Sequence, residues 1–439
     1  MTGDWRHAWT GGRRAAHLGN VAGYNGQFAE PDAESVRAGH RYADLALFYS
    51  PHPEVVVLPG EPDPGWLDLQ RQALHWDPVE VYGGLSGAPD LADAVLGRPS
   101  LLNRLAALDG PVLGWGRTAG LDRLLEATGC ASGSGGAALR AVRTWESKAA
   151  ANALFHELAD GDPAIAVPAQ QRYRSPGEAV RAAIRRARRG ESVVLKTEYG
   201  VGGSGAVVVT PRSARGGARA LRRRLSGAGE TLVEDLAPAS GPYRDVTADA
   251  VVDSSGAVFL VGVGVMDVEG TSYAGALVGP GVLPAGLERA AAGFCLRVGR
   301  ALAADGHRGW FDVDLVAGPT GRLAPTEVNC RVTGPAVAFT IQARLEQVHG
   351  GRWLVRTFDR LPLGTRVSED LLHGHLSRLT RACASWGAVL VPTILSSSYA
   401  DDPTFGVALA ARDRTTLRLA SAFVSSETAA LGRDLMAHC

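Results

Sequence analysis

The stretch from Gly309 to Arg331 constrains this chain more than any other. It reads G-W-F-D-V-D-L-V-A-G-P-T-G-R-L-A-P-T-E-V-N-C-R, with Gly318-Pro319-Thr320-Gly321 as a turn signal between two alternating runs. In the first run Phe311, Val313 and Leu315 fall on one face, and Asp312 and Asp314 on the other. In the second, Val328, Cys330 and Val332 form one face; Glu327, Asn329 and Arg331 form the other. A strand sends alternate side chains to opposite faces, so each run is half apolar and half acid-bearing. Paired as a hairpin, the polar faces can coincide. Carboxylates gathered so closely are costly unless a cation or a substrate offsets them. An all-oxygen set of this kind suits Mg²⁺ holding a nucleotide's phosphates. The other reading is a surface hairpin with a solvated charged face, and the hairpin alone leaves both open.

Composition narrows the classes. A chain of 439 residues is long for one core, and two or three domains are expected. Equal numbers of basic and acidic residues, 45 each, argue against a general nucleic-acid or membrane-surface binder. The opening M-T-G-D-W-R-H-A-W carries no secretion signal, and apolar runs such as Ala257–Met266 are too short to span a bilayer. The five scattered cysteines (130, 295, 330, 383 and 439) read as reduced core thiols of a cytoplasmic protein. Among the basic residues only two are lysine, Lys148 and Lys196, against 43 arginines. A lysine is a compact charge on a thin stem and reaches phosphate oxygens where a planar guanidinium does not fit.

Residues 1–140 alternate short strands (Leu45–Tyr49, Glu54–Leu58, Val79–Tyr82, Val112–Trp115) with helices (Asp90–Leu96, Ser100–Leu108, Leu121–Thr128). This predicts a small, mainly parallel α/β domain, with Gly83–Gly87 and Gly114–Arg117 as candidate substrate loops beyond the strand ends. Gly84-Leu85-Ser86-Gly87-Ala88 only approximates a nucleophile elbow and reads as a tight turn. Gly129–Ala138 reads as a flexible connector, followed by one helix through W-E-S-K-A-A-A-N-A-L-F-H-E-L. A helix Glu178–Arg189, a strand Ser192–Lys196, the loop T-E-Y-G-V-G-G-S-G and a strand Ala206–Thr210 come next. Such a glycine loop between strands can fold its backbone amides over a polyphosphate, and Lys196 stands directly before it. The arginine runs flanking the loop read as solvated helix faces.

Thr231–Leu236 reads as a strand ending in acids and Ala237–Pro242 as an interdomain hinge. Alternating runs at Asp245–Val252 and Val258–Met266 build a sheet that the hairpin extends, and Ala285–Ala304 is a core helix. After a Thr333-Gly334-Pro335 loop a helix covers about Val337–Val348. The remainder, about 356 to 439, is α/β again: helix Glu369–Trp386, strands Ala388–Ile394 and Phe405–Ala411, and a terminal helix. His373 and His375 face differently on their helix and read as structural.

The ordered set Lys148, Lys196 with its glycine loop, Glu234, Asp312 and Glu327-Val328-Asn329-Cys330-Arg331 resembles the ATP-grasp superfamily over about residues 145–350. The resemblance implies a nucleotide clamped between two α+β lobes, after a Rossmann-like N-terminal domain and before a small α/β segment. It divides the chain into 1–140 (N-terminal α/β), 141–236 (small lobe), 237–355 (large lobe) and 356–439 (C-terminal α/β). It implies ATP contacts from Lys148, Lys196, Gly200, Gly202, Gly203, Ser204 and Gly205. Adenine would lie on the hinge at Glu234 and Leu236, and ribose at Asp245. The implied ligands for Mg²⁺, or Mn²⁺ in its place, are Asp312, Glu327 and Asn329; Arg331 and Lys196 would be catalytic.

The chemistry implied is activation of a carboxylate by the γ-phosphate and capture of the acyl phosphate by an amine. The overall layout is similar to that of pheganomycin-type peptide ligases, implying an amino-acid-like carboxylate and the amine of a peptide or amino acid, in antibiotic-type peptide biosynthesis. A homodimer is the default assembly. Acceptor recognition is expected from the N-terminal domain, the Gly264–Gly281 loop and Thr333–Pro335. Many family members place arginine just before the metal-binding Asp; here Trp310 and Phe311 stand there, and Arg308 or Arg244 would have to compensate. The alternatives are another ATP-grasp outcome, a carboxylase or phosphotransferase, and a nucleotide-binding regulatory module without turnover.

Overall fold

The computed structural model describes residues 4–437 apart from 29, 31, 88–89, 131–134, 201–204, 215–216, 226–228, 240 and 242. Gly202, Gly203 and Ser204 of the glycine loop, part of the hinge, and Cys439 therefore lie outside the described residues.

The first sheet holds β1 (Ala15–Leu18), β2 (Pro53–Val57), β3 (Glu80–Tyr82) and β4 (Val112–Gly114), all parallel in the order β3-β2-β1-β4. The central strand β1 is absent from the expected strands. All four of its residues are buried, so A-A-H-L shows no alternation, and Ala and His are weak strand formers. The expected strand at Leu45–Tyr49 is instead a 3₁₀-helix, Ala43–Phe48, buried throughout. A continuous apolar run is compatible with either state once both sides are covered. The expected connector at 129–138 is shorter than its composition implies, because a helix starts at Gly135. That helix ends at Trp145, and Ser147 caps a separate one, Lys148–Leu158, by accepting from the Ala150 N–H; the single expected helix is broken at Glu146-Ser147.

The second sheet holds β5 (Gln170–Tyr173), β6 (Val193–Thr197), β7 (Ala206–Val209) and β8 (Thr231–Asp235) in the order β5-β8-β6-β7, antiparallel. The helix Pro176–Arg188 covers it, burying Ala179, Val180, Ala183 and Ala187 on one stripe against Val193, Leu195 and Val233.

The third sheet has eight strands: β9 (Asp245–Val252), β10 (Val258–Glu269), β11 (Ser272–Val278), β12 (Gly309–Ala317), β13 (Leu323–Asn329), β14 (Leu354–Pro362), β15 (Val389–Ile394) and β16 (Thr404–Ala411). Their order is β13-β12-β9-β10-β11-β14-β16-β15, so strands from beyond residue 356 continue the sheet that carries the hairpin. The expected Gly264–Gly281 loop is largely the β10–β11 hairpin. The helix Ala285–Ala304 packs Phe294, Cys295, Val298 and Leu302 onto this sheet, and Gly334–His349 covers its opposite face. The expected loop at Gly334-Pro335 is the first turn of that helix, with proline where no N–H is needed.

Asp44 joins the first and last parts of the chain. Its carboxylate accepts from the N–H groups of Leu395 (2.9 Å) and Ser396 (2.8 Å) just beyond β15. Among the described residues no helix is long and apolar enough to cross a membrane.

Candidate functional site

The hairpin pairs with one register shift, between Asp314 and Leu315, and that shift brings its two polar faces into line. Asp312 lies opposite Asn329, Val313 opposite Val328, and Asp314 opposite Glu327. The polar faces therefore coincide, while Phe311, Val313 and Val328 enter the core. On its other side β12 pairs with β9, which sets Asp312 opposite Asp249. Asp249 is fully buried and was not among the expected site residues. Its strand alternation places it on a face with Asp245 and Thr247, but only the pairing with β12 brings that face to the hairpin.

The row Asp249–Asp312–Asn329 is held by short contacts. Asn329 Nδ2 donates to Asp312 Oδ1 at 2.8 Å and lies 3.5 Å from Asp314 Oδ2. Trp310 Nε1 and Thr247 Oγ1 donate to Asp249 at 2.9 and 2.8 Å. Burial raises the pKa of Asp312 to about 7, against the pull of Arg331 and Asn329. Burial, then the neighbouring Asp312, pushes Asp249 and Asp314 well above the carboxylate range. Asp314 Oδ1 is buried without a hydrogen-bond partner. An acid cluster with an unpartnered buried oxygen fits a divalent cation with oxygen ligands.

Both lysines reach this hairpin from different elements. Lys148, at the start of its helix, sets Nζ 3.1 Å from Glu327 Oε2 and donates to the Gly200 carbonyl at 3.2 Å. Lys196, at the end of β6, pairs with Glu234 Oε1 at 2.6 Å and donates to the Thr326 carbonyl at 3.3 Å. Burial would raise the pKa of Glu327, but Lys148 and then Lys196 overcome this and hold it at about 2. Glu234 is buried on β8 and also accepts from Gln170 at 2.7 Å. The Leu236 side chain is exposed and its N–H donates to the Ser192 carbonyl. Asp245 opens β9 and sits 3.3 Å from Arg244.

At the glycine loop, Gly205 has φ +85°, and a Cβ there would stand 2.3 Å from Thr197 Oγ1. Only glycine fits. Tyr199 stacks on Phe28 of the N-terminal domain, with centroids 5.3 Å apart.

Arg331 is buried, with its guanidinium 5.5 Å from the Trp115 ring centroid and Nη2 donating to Asn329 Oδ1 at 2.7 Å. Glu146 fixes its surroundings: one carboxylate oxygen accepts from the Cys330 N–H and from Tyr24 OH, both at 2.7 Å, and lies 3.9 Å from Arg331 Nε. Arg331 Nε itself has no hydrogen-bond partner. Of the two loops expected to meet substrate, Gly114–Arg117 lies against Arg331, through a Gly116–Arg331 bridge and a 2.8 Å bond from the Val332 N–H to the Trp115 carbonyl. Gly83 and Gly84 instead lie against Gly60, Glu61 and Pro62. Glu146 had no signal of its own in sequence, since its role depends on a contact across nearly two hundred residues; Trp115 was marked only as a member of the Gly114–Arg117 loop.

Arg308 does not supply the cation that Trp310 and Phe311 omit. Its guanidinium is bonded to the carbonyls of Ala303 (3.0 Å) and His307 (2.6 Å) at the end of a helix. Trp310 packs edge-on against Trp5 and Trp9 while satisfying Asp249.

No family model and no curated protein matches the sequence. Solved structures do match over nearly the whole chain. Carboxyaminoimidazole ribonucleotide synthase from Aspergillus clavatus, complexed with ATP, is 11% identical with a TM-score of 0.56, covering 95% of this chain and 99% of that one. Biotin carboxylase from Campylobacter jejuni is 13% identical with a TM-score of 0.52, covering 92% and 89%. L-amino acid ligase from Bacillus licheniformis is 12% identical with a TM-score of 0.51, covering 94% and 97%. By topology and by these likenesses, the chain has the ATP-grasp fold.

Proposed function

We propose that this chain is an ATP- and Mg²⁺-dependent ligase that activates a carboxylate as an acyl phosphate and joins it to an amine. The observation that carries the reading is the convergence of the chain's two lysines on the Thr326-Glu327 segment of the acid hairpin. A surface hairpin with a solvated charged face has no need of buried cations drawn from two other elements. A nucleotide-binding module without turnover has no need of a buried arginine beside the acids.

In this reading Lys148 and Lys196 exchange their carboxylate partners for phosphate oxygens as a nucleotide enters between the sheets. The glycine loop, Gly200 to Gly205, covers the phosphates and excludes water from the acyl phosphate. The strand end at Glu234 and Leu236 takes the adenine, and Asp245 the ribose. Asp312, Glu327 and Asn329 would hold Mg²⁺, which neutralises charge on the transferring phosphoryl group. Arg331, already desolvated and with Nε unpartnered, binds the γ-phosphoryl oxygens by its fork geometry. A substrate carboxylate oxygen attacks the γ-phosphorus and ADP leaves. The amine nitrogen then attacks the acyl carbon, phosphate leaves, and the amine's proton passes to solvent. No covalent protein nucleophile is needed.

The substrates are proposed to be an amino acid and the amine of a peptide or amino acid, in peptide natural-product assembly, on the resemblance in layout to pheganomycin-type ligases. The lobes are proposed at 141–236 and 237–355, between the segments 1–140 and 356–439. A bicarbonate-using carboxylase is the second reading, because carboxylases and carboxyaminoimidazole ribonucleotide synthases share the fold. Nucleotide products separate the readings. The ligase yields ADP and phosphate only when an acid and an amine are both present; the carboxylase does so with bicarbonate; AMP and pyrophosphate contradict both.

A further inference from the structure

The acid-bearing face of the large sheet does not stop at the hairpin. Asp249 lies opposite Gly262 of β10, and Asp245, on the same face, lies opposite Met266, which itself faces Ala276 of β11. β11 pairs with β14 so that Leu277 meets Arg356, which puts Ala276 beside Thr357; the Ala276 N–H donates to Thr357 Oγ1 at 2.9 Å. Two residues further along β14 stands Asp359. It is buried, whereas the next residue, Arg360, is exposed.

Asp359 is an uncommon group for such a place. It is 5% exposed, and among the described residues its one hydrogen bond comes from Tyr42 OH, at 2.6 Å, and it forms no ion pair. Burial, against the pull of Tyr42 and Arg360, raises its pKa to about 6. A buried carboxylate with a single neutral donor is poorly compensated. Its surroundings lead back to the candidate site. Tyr42 meets Trp115 edge-on with centroids 5.5 Å apart, and Trp115 lies 5.5 Å from the Arg331 guanidinium. Tyr273 OH is 3.4 Å from Thr357 Oγ1, and its ring fills the space beside Gly334, where a Cβ would come within 2.2 Å. Tyr42 and Tyr273 are only partly buried, so the cluster has an edge open to solvent.

We propose that Asp359, Tyr42, Tyr273 and Thr357 form the subsite for the protonated amino group of the carboxylate substrate, whose carboxyl end is held toward Arg331. This rests on the ligase reading and deepens it, by naming the residues that receive the amino acid's ammonium group. Arg331 at one end and Asp359 at the other give the subsite a charge order complementary to such an acid. Bicarbonate has no cationic group for Asp359 to receive. The contact from Tyr42 ties the subsite to the N-terminal domain, so that domain contributes to substrate choice.

The test uses the full chain with amino acids and their des-amino analogues, each with the same acceptor amine, reading ADP release and amide mass. The wild type is expected to prefer the amino acids strongly. Asp359→Asn keeps an acceptor for Tyr42 but loses the charge; it is expected to raise KM for the amino acid on the order of 100-fold while ATP affinity stays unchanged. The preference over the des-amino acid is expected to collapse with it. A wild type that uses both acids equally overturns the subsite without any variant, as does an Asp359→Asn protein that keeps the preference. Turnover with bicarbonate and indifference to amino acids overturns the ligase reading itself, an outcome distinct from either.

Discussion

Lys148 and Glu327 meet at 3.1 Å, joining the first residue of a capped helix to the acid hairpin more than a hundred and seventy residues later. The pair holds a carboxylate ionised inside a cluster whose other acids are pushed toward neutrality. Glu327 is thus already charged where a cation ligand must be. Glu327→Ala is expected to reduce amide formation by about a thousandfold or more. ATP affinity, read by calorimetry, is expected to fall far less. Retained turnover would remove Glu327 from the metal set.

Glu146 acts through Arg331. Its carboxylate holds the Cys330 N–H and Tyr24 OH beside the guanidinium. Glu146→Gln keeps an acceptor but loses the charge opposite Arg331. It is expected to lower kcat by about 10- to 100-fold with little change in KM for ATP. A loss confined to thermal stability would make Glu146 purely structural.

Gly205→Ala combines a left-handed φ of +85° with a Cβ 2.3 Å from Thr197 Oγ1. The backbone at Gly205 is expected to shift and KM for ATP to rise by about tenfold, with Tm lowered only slightly because Gly205 is only half-buried. An unchanged KM would show that the loop does not cover the nucleotide.

Asp44 gives a pH signature remote from the site. Burial raises its pKa to about 6, although the Ser396 and Leu395 N–H groups oppose the shift. The folded value lies above the unfolded one, so its stabilising contribution is complete below about pH 4 and lost as pH rises through 6. The span of about two units corresponds to on the order of 3 kcal/mol. Asp44→Asn is expected to flatten that part of the stability profile, measured by urea unfolding from pH 4 to 7. An unaltered slope would assign the pH dependence to other groups.

The site was legible where its chemistry lies within one hairpin. Alternation on both sides of a Gly-Pro-Thr-Gly turn put Asp312 and Asp314 on one face of their strand and Glu327 and Asn329 on one face of theirs; the pairing of Asp312 with Asn329 was not legible, because it depends on a register shift between Asp314 and Leu315. Lys148 and Lys196 stood out because lysine is otherwise absent from the chain. Asp249 and Glu146 were not legible, because each acquires its role from a contact made by tertiary pairing, whereas Trp115 was legible only as part of the Gly114–Arg117 loop. The strand at Ala15–Leu18 and the 3₁₀-helix at Ala43–Phe48 were misread for a related reason. Segments covered on all sides lose the periodicity that distinguishes strand from helix. The Gly264–Gly281 segment looked like a loop through its glycines, yet Gly275 lies within 2.1 Å, measured from an added Cβ, of the Thr357 carbonyl. There the glycine lets two strands approach.

The most direct test of an acyl-phosphate ligase follows one oxygen atom. An amino acid labelled with ¹⁸O in its carboxyl group is supplied with ATP, Mg²⁺ and an amine, and the released phosphate is examined by mass spectrometry. Transfer of one ¹⁸O into inorganic phosphate, in step with amide formation, is the expected result. Label appearing in AMP, or amide formed with unlabelled phosphate, would contradict phosphorylation of the carboxylate.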